Sequence, residues 1–393
     1  AGYVYGGSNN MVFGNAWNSV TFKSATITLR HELAAVITQP AQIQLTSATT
    51  IPAICNNGTV NYTPVVTPAG TTYSWIRPTI SGISTASSTG TGNISETLTN
   101  TTNNPITVPY TFSLLNGGCL VSQIVNTVVN PTPVITSTLT PSAVATGSVF
   151  NYLVSGSTGA TFSWSRATVT GISNASATGT GNISETLVNT TNAPVTVSYV
   201  YTITIGSCTN TQTVSVVVNP TPVFSSSLTP PAICSGTNFV YAPSSATTGT
   251  TYSWSRAAVA GISNIAAMGI GSVNENLINT TTNPINVTYV YTLTANGVSN
   301  NQSVVVTVNP TPSLNSTLTP ASICNNGTFA YTPSSATTGA SFSWSRAAVS
   351  GISNTAGTGI GAISEVLTNS TANTLNVVYA ISTSANGCNN TQN

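Results

Sequence analysis

The sequence predicts an all-β fold: a rod-like tandem array of antiparallel β-sandwiches joined by short linkers that contain proline. Three observations carry this. First, Tyr73-Ser74-Trp75-Ile76-Arg77 returns as Phe162-Ser163-Trp164-Ser165-Arg166, Tyr252-Ser253-Trp254-Ser255-Arg256 and Phe342-Ser343-Trp344-Ser345-Arg346, a period of about 90 residues. That is too long for a solenoid repeat and right for a small domain. Second, hydrophobicity alternates with a period of 2 inside each unit. Third, Asn130-Pro131-Thr132-Pro133, Asn219-Pro220-Thr221-Pro222 and Asn309-Pro310-Thr311-Pro312 each close a unit. Two prolines in four residues favour extended backbone, so these linkers are short and stiff.

In chain order, residues 1–46 stand outside the repeat. They hold Lys23, Arg30, His31 and Glu32, with the only Lys and only His. Ser19 to Leu29 alternates like a strand, and Glu32 to Thr38 followed by Gln39-Pro40 reads as a last strand and exit linker. The segment is either the tail of a preceding domain or a strand given to a neighbouring molecule. Four repeats follow, at 47–133, 134–222, 223–312 and 313–393. In the third, Asn238–Tyr241, Thr251–Arg256 and Ser272–Asn279 read as strands. Ile285–Leu293 is the clearest strand, since Ile285, Val287, Tyr289, Tyr291 and Leu293 alternate with smaller or polar residues. Asn296-Gly297 then signals a hairpin, because both residues tolerate positive φ, and Ser303–Val308 returns. Seven or so short strands in this space make an antiparallel sandwich, and the inward phase places Trp75, Trp164, Trp254 and Trp344 in its core. The fourth repeat stops at Asn393, before most of its last strand. Continuation of the chain is expected there, with a strand from another copy as the alternative.

Composition narrows the function. Only 3% of residues are charged, the formal net charge is +1 and 40% are hydrophobic, so the chain builds cores without charge at its surface. No basic patch points to nucleic acid or anionic lipid, and no apolar run reaches the roughly 18–20 residues of a membrane helix. With neither an initiator Met nor a signal peptide at residue 1, the chain reads as a mature or excised segment.

Tyr252-Ser253-Trp254-Ser255-Arg256-Ala257-Ala258-Val259-Ala260-Gly261-Ile262-Ser263, Gly181-Asn182-Ile183-Ser184-Glu185-Thr186-Leu187 and the Asn-Pro-Thr-Pro linkers are together similar to the PKD-like repeats of long Bacteroidetes surface proteins. Gliding-motility adhesins and other type 9-secreted proteins are among these. The resemblance covers about residues 47–393. It implies immunoglobulin-like sandwiches and an extracellular location at the outer membrane. The acidic Trp-Asp-Phe-Gly-Asp-Gly type motif of ordinary PKD domains is replaced here by Ser and Arg after each Trp, so any role of those acids is absent.

Each repeat carries one Arg and one Glu, 19 residues apart: Arg77 and Glu96, Arg166 and Glu185, Arg256 and Glu275, Arg346 and Glu365. Strand phase turns all of them inward, which predicts one buried structural ion pair per repeat. A glycosidase needs two carboxylates per site and each repeat has one. Cys55 and Cys119 lie 64 apart, as do Cys324 and Cys388, which predicts two disulfides within repeats 1 and 4. Cys208 and Cys234 are left as unpaired thiols, or as a bridge across a strand-length gap. No catalytic or metal residues are expected and no cofactor: no Cys-x-x-Cys exists, one His without any Asp makes no Ser-His-Asp triad, and calcium lacks hard oxygen donors. A single Lys excludes an isopeptide staple in every domain, and Gly90-Thr91-Gly92 reads as a turn, not a phosphate loop. Asn93-Ile94-Ser95 and Asn182-Ile183-Ser184 are sequons, and glycosylation there stays open.

The expected function is a non-enzymatic structural or adhesive stalk or filament at the bacterial surface. Its expected partners are flanking repeats or other copies, with surface polysaccharide or substratum as a further possibility. A carbohydrate-binding accessory module is the alternative. It needs an exposed aromatic platform, and only Tyr3, Tyr5 and Trp17 fall outside the inward phase.

Overall fold

The computed structural model describes residues 42–393. The readings of Ser19–Leu29, Glu32–Pro40, Tyr3, Tyr5 and Trp17 lie outside the described residues. The chain divides into two compact units: one holds repeat 1 with Ser157–Ala160 and Thr204–Asn210, the other holds the rest of repeat 2 with repeats 3 and 4.

Repeat 3 shows the architecture. A five-stranded sheet runs in the order Ile233–Cys234, Val298–Asn309, Ile285–Ala295, Thr251–Arg256, Ala267–Ile270. The first pair is parallel and the others antiparallel. Asn238–Tyr241 and Val273–Asn276 form an antiparallel pair. The apolar alternate residues meet in one core: Val287, Tyr289, Tyr291 and Leu293 with Val304, Val306 and Val308, against Phe239, Val273 and Leu277. Repeat 2 has the same five-plus-two arrangement of sheets, and repeat 1 adds to it an antiparallel pair of Gln44–Leu45 with Val66–Thr67.

Strand bounds follow the pairing more than the hydrophobic pattern. The hairpin pairs from Ala295↔Val298 at the turn outward to Ile285↔Val308, so both strands run longer than alternation alone indicates. Asn296 and Gly297 take φ of 51° and 75°, the conformation that turn requires. Ser272–Asn279 shortens to Val273–Asn276. Two strands escape the pattern. Ile233–Cys234 is two residues long. In Ala267–Ile270 the phase is inverted, because Met268 and Ile270 point to solvent (84% and 85% exposed). Gly269 faces inward beneath the Trp254 ring, and a Cβ there would stand 2.7 Å from it.

Repeat 4 differs. Its last strand is Cys388–Gln392 and its larger sheet has four strands. Beside Tyr379 and Ile381 lies an open groove of about 820 Å³, lined also by Ile323, Phe329, Leu367 and Leu375. In repeat 3, Val304, Val306 and Val308 are fully buried at the corresponding place.

Candidate functional site

The charged residues of each repeat converge on one cluster. Arg77 sits two residues after Trp75 on the inward face of Thr72–Arg77 and is fully buried. Its Nε donates to Glu96 Oε2 at 2.9 Å and its Nη2 to Oε1 at 3.1 Å, a two-pronged pair. Nη2 also donates to the Ala86 carbonyl. Arg166–Glu185, Arg256–Glu275 and Arg346–Glu365 repeat the geometry with Nε–Oε2 distances of 2.9, 2.8 and 2.9 Å. A tyrosine completes each cluster: Tyr110, Tyr199, Tyr289 and Tyr379 donate to the carboxylate at 2.7, 2.5, 2.5 and 2.6 Å. Strand alternation identifies these tyrosines as core. Their partner is legible only from the constant 14-residue offset from Glu, a signal as regular as the Arg–Glu spacing.

The electrostatics hold each cluster in one protonation state. For Glu96 and Glu185, burial pushes the carboxyl pKa up. The hydrogen bonds from arginine and tyrosine outweigh it and hold the group below its ordinary value. For Glu275 and Glu365 the arginine hydrogen bond is the largest influence, in the same direction. Burial, then the neighbouring carboxylate, raises all four tyrosines far above their ordinary value. A carboxylate occupied by a guanidinium and a phenol is a structural staple, poorly suited to proton transfer. Trp75, Trp164, Trp254 and Trp344 stand edge-on to the same tyrosines at 5.5–5.7 Å.

The cysteines pair differently from the sequence expectation. Cys55 is bonded to Cys208 and Cys234 to Cys388, while Cys119 and Cys324 are free and exposed. Bridges Cys55–Cys119 and Cys324–Cys388 do not form, and Cys208 and Cys234 are not unpaired. The reason lies in the sheet. The short entrance strand Ile54–Cys55 runs parallel to the end of the last strand, with Cys55 opposite Asn130. It therefore reaches the exit end of its repeat. Cys119 starts the 12-residue last strand at the other end, roughly 35 Å away, far beyond disulfide reach. The hairpin of the next repeat comes to that exit end instead. Each bridge thus ties an entrance cysteine to the hairpin of the following repeat.

Hydrogen bonds build the same junctions. The linker asparagines are buried. Asn219 Nδ2 donates to the Asn296 carbonyl at 2.8 Å and Asn309 Nδ2 to the Asn386 carbonyl at 2.9 Å. Asn130 Nδ2 lies 3.8 Å from Cys208 Sγ. In return, Asn210 and Asn300 donate to the carbonyls of Pro133 and Pro222. Thr158 Oγ1 bonds Asn104 Oδ1 at 2.5 Å, and Thr338 Oγ1 bonds Asn283 Oδ1 at 3.0 Å. The linkers are therefore clamped, a feature that the proline content alone does not reveal.

Among the described residues there is no group of three or more His, Cys, Asp or Glu placed to hold a metal. No Phe, Tyr or Trp among them is exposed. No helix in them is long and apolar enough to cross a membrane.

No curated protein sequence matches the chain. Among solved structures it is similar to the three immunoglobulin domains I67–I69 of titin in an E-to-A mutated variant (12% identity, 69% of this chain and 97% of that one, TM-score 0.34). It is also similar to EC1–3 of mouse protocadherin-24 (16%, 67% and 98%, TM-score 0.30) and to the insect immune protein hemolin (11%, 89% and 97%, TM-score 0.26). Likenesses this distant carry no inference about function. Residues 321–392 match the family model described as the PKD-like domain. The Trp, Arg, Glu and Tyr positions of that stretch recur in repeats 1–3.

Proposed function

We propose that this chain is a non-enzymatic, force-carrying stalk segment of a bacterial surface adhesin, working outside the cell. The observation that carries the reading is the junction: each linker asparagine reaches the hairpin of the next repeat, and two of the three junctions add a disulfide. Disulfides persist in oxidising compartments, which supports an extracellular site. Within the same proposal fall the outer-membrane, type 9-secreted setting of gliding-motility adhesins, and contact with surface polysaccharide or substratum. The low charge supports a stalk insensitive to salt.

Pulling single molecules by their two ends tests this. The bridges close loops with sequence separations of 153 and 154 residues, which cannot extend while oxidised. Under reduction those lengths are released in domain-sized steps. A chain that extends fully at low force in oxidising buffer contradicts a force-carrying role.

A further inference from the structure

One sheet edge of repeat 3 differs from its counterparts in the other repeats. Ala267–Ile270 ends the five-stranded sheet and is paired on one side only, with Thr251–Arg256. Gly269 lies beneath Trp254, as Gly90, Gly179 and Gly359 lie beneath Trp75, Trp164 and Trp344. The residues on either side of that glycine are exposed in every repeat. They are Thr89 and Thr91 in repeat 1, Thr178 and Thr180 in repeat 2, Thr358 and Ile360 in repeat 4, but Met268 and Ile270 in repeat 3. Met268 and Ile270 are 84% and 85% exposed, and Ile265 just before the strand is 83% exposed. Side chains so open to water add almost nothing to the core of their own repeat.

The backbone of the same two residues is also unpaired. Gly271 N donates to the Tyr252 carbonyl at 2.9 Å. Bonded and non-bonded pairs alternate along an antiparallel ladder, so Trp254 and Gly269 exchange hydrogen bonds. Met268 and Ile270, opposite Ser255 and Ser253, therefore turn their N–H and C=O groups away from the sheet, toward the free edge. The devices that usually guard such an edge are missing: residues 265–272 contain no charge and no proline. The surface around it is equally neutral. The charged residues of 42–393 are the arginines and glutamates of the four clusters, with the arginines buried and the glutamates 12–19% exposed.

We propose that Ala267–Ile270 is a pairing edge for a second copy of this chain, joined antiparallel about a two-fold axis at Gly269. In that register Met268 faces Ile270 of the second copy, and Ile270 faces its Met268. The four outward N–H and C=O groups of each copy are then satisfied in four hydrogen bonds. The apolar side chains meet on one face, and the two sheets run on as one. The strand is complementary to itself, which is what an isologous contact needs, and main-chain pairing at a sheet edge supplies the affinity. Charge matches too, since neither copy brings an exposed charge to repel the other. Four residues from each copy make an interface well below the roughly 1,200 Å² of a standard one, so association is weak and reversible. The proposal does not rest on the stalk reading: the pulling experiment reads one chain at a time, and pairing needs two.

The test uses the 393-residue chain. Sedimentation equilibrium over a rising concentration series should show a reversible monomer–dimer equilibrium. Met268→Lys/Ile270→Lys should stay monomeric throughout while keeping Cys55–Cys208 and Cys234–Cys388, which show that its repeats have folded. Trapping reads the register. In a Cys119→Ser/Cys324→Ser background, one preparation carries Met268→Cys and another Ile270→Cys. Oxidised glutathione takes two electrons and two protons from the two introduced thiols as they join, and leaves as two glutathione thiols. Residues opposed in a bonded pair stand about 5.5 Å apart at Cα, within disulfide range. The bridged dimer should form readily in the mixture and only slowly with either variant alone. A chain that stays monomeric and gives no trapped dimer, leaving the edge to a partner of other sequence, would overturn the proposal. So would association that persists in the lysine variant, or trapping as fast in a single variant as in the mixture.

Discussion

The junction between repeats 2 and 3 differs from those on either side of it. Between repeats 1 and 2, and between repeats 3 and 4, three kinds of contact coincide: a linker asparagine, a disulfide and a threonine–asparagine hydrogen bond. Between repeats 2 and 3 the asparagine contact remains, through Asn219. The disulfide positions hold Ala145 and Val298, and Ala193 stands where Asn104 and Asn283 accept a hydrogen bond. Both cysteines are replaced together, which is how a pair that works only as a pair behaves. The interiors show the opposite pattern, with one Arg–Glu–Tyr cluster in every repeat. The fold is thus held constant while the stiffness of its joints varies.

The largest expected effect comes from converting the middle junction into the flanking type. Ala145 lies opposite Asn219 just as Cys234 lies opposite Asn309. The double variant Ala145→Cys/Val298→Cys should therefore form a third bridge. A loop of this length contributes roughly 4–5 kcal/mol in the chain-entropy estimate. Intact mass should fall by two hydrogens, and the unfolding midpoint should rise only in oxidising buffer. Free thiols in that variant would mean that the middle junction has a different geometry.

Interior clusters give the next effect, one that should not distinguish the repeats. Glu275→Ala leaves Arg256 buried without its partner and should cost about 3–5 kcal/mol, whereas Arg256→Met/Glu275→Leu/Tyr289→Phe, which removes the whole cluster, should be close to neutral. Chemical denaturation measures both. Acid tests all four clusters together. Each glutamate is held below its ordinary value of 4.5, so its stabilising contribution is present above that pH and is lost as pH falls through the folded value. The tyrosines are raised from 10.0, so alkaline loss begins as pH passes that value. Acid unfolding that spares one repeat would break the equivalence of the interiors.

Much of this was legible in sequence, and the limit has a physical form. Alternation places Trp254, Arg256 and Glu275 on one face because side-chain direction in a strand is local information. Cys55 and Cys208 are a different matter. Whether a residue lies at the near or far end of its sandwich depends on the parallel pairing of a two-residue strand, Ile54–Cys55, which no periodicity can reveal. Counting 64 residues between Cys55 and Cys119 measured loop length, while the pairing is decided by which ends meet. The edge strand Ala267–Ile270 was hidden for another reason: its large side chains face water and its glycine faces the core.

The smaller effects bear on single hydrogen bonds at the joints. Asn219→Ala removes the described side-chain clamp from the linker into the hairpin of repeat 3 and should loosen that junction by about 1–2 kcal/mol. Asn309→Ala should loosen its junction far less, because Cys234–Cys388 still holds the ends together. Amide exchange at Pro222–Phe224 and Asn296–Val298, set against Pro312–Leu314 and Asn386–Cys388, reads the difference. The least effect is a gain. Ala193→Asn should give Thr248 the acceptor that Thr158 finds in Asn104 and Thr338 in Asn283, adding roughly 0.5–1 kcal/mol to the middle junction. Its exchange should slow by the corresponding few-fold. An unchanged rate would show that the bond forms only where a disulfide already sets the spacing, so that the two contacts act as one device.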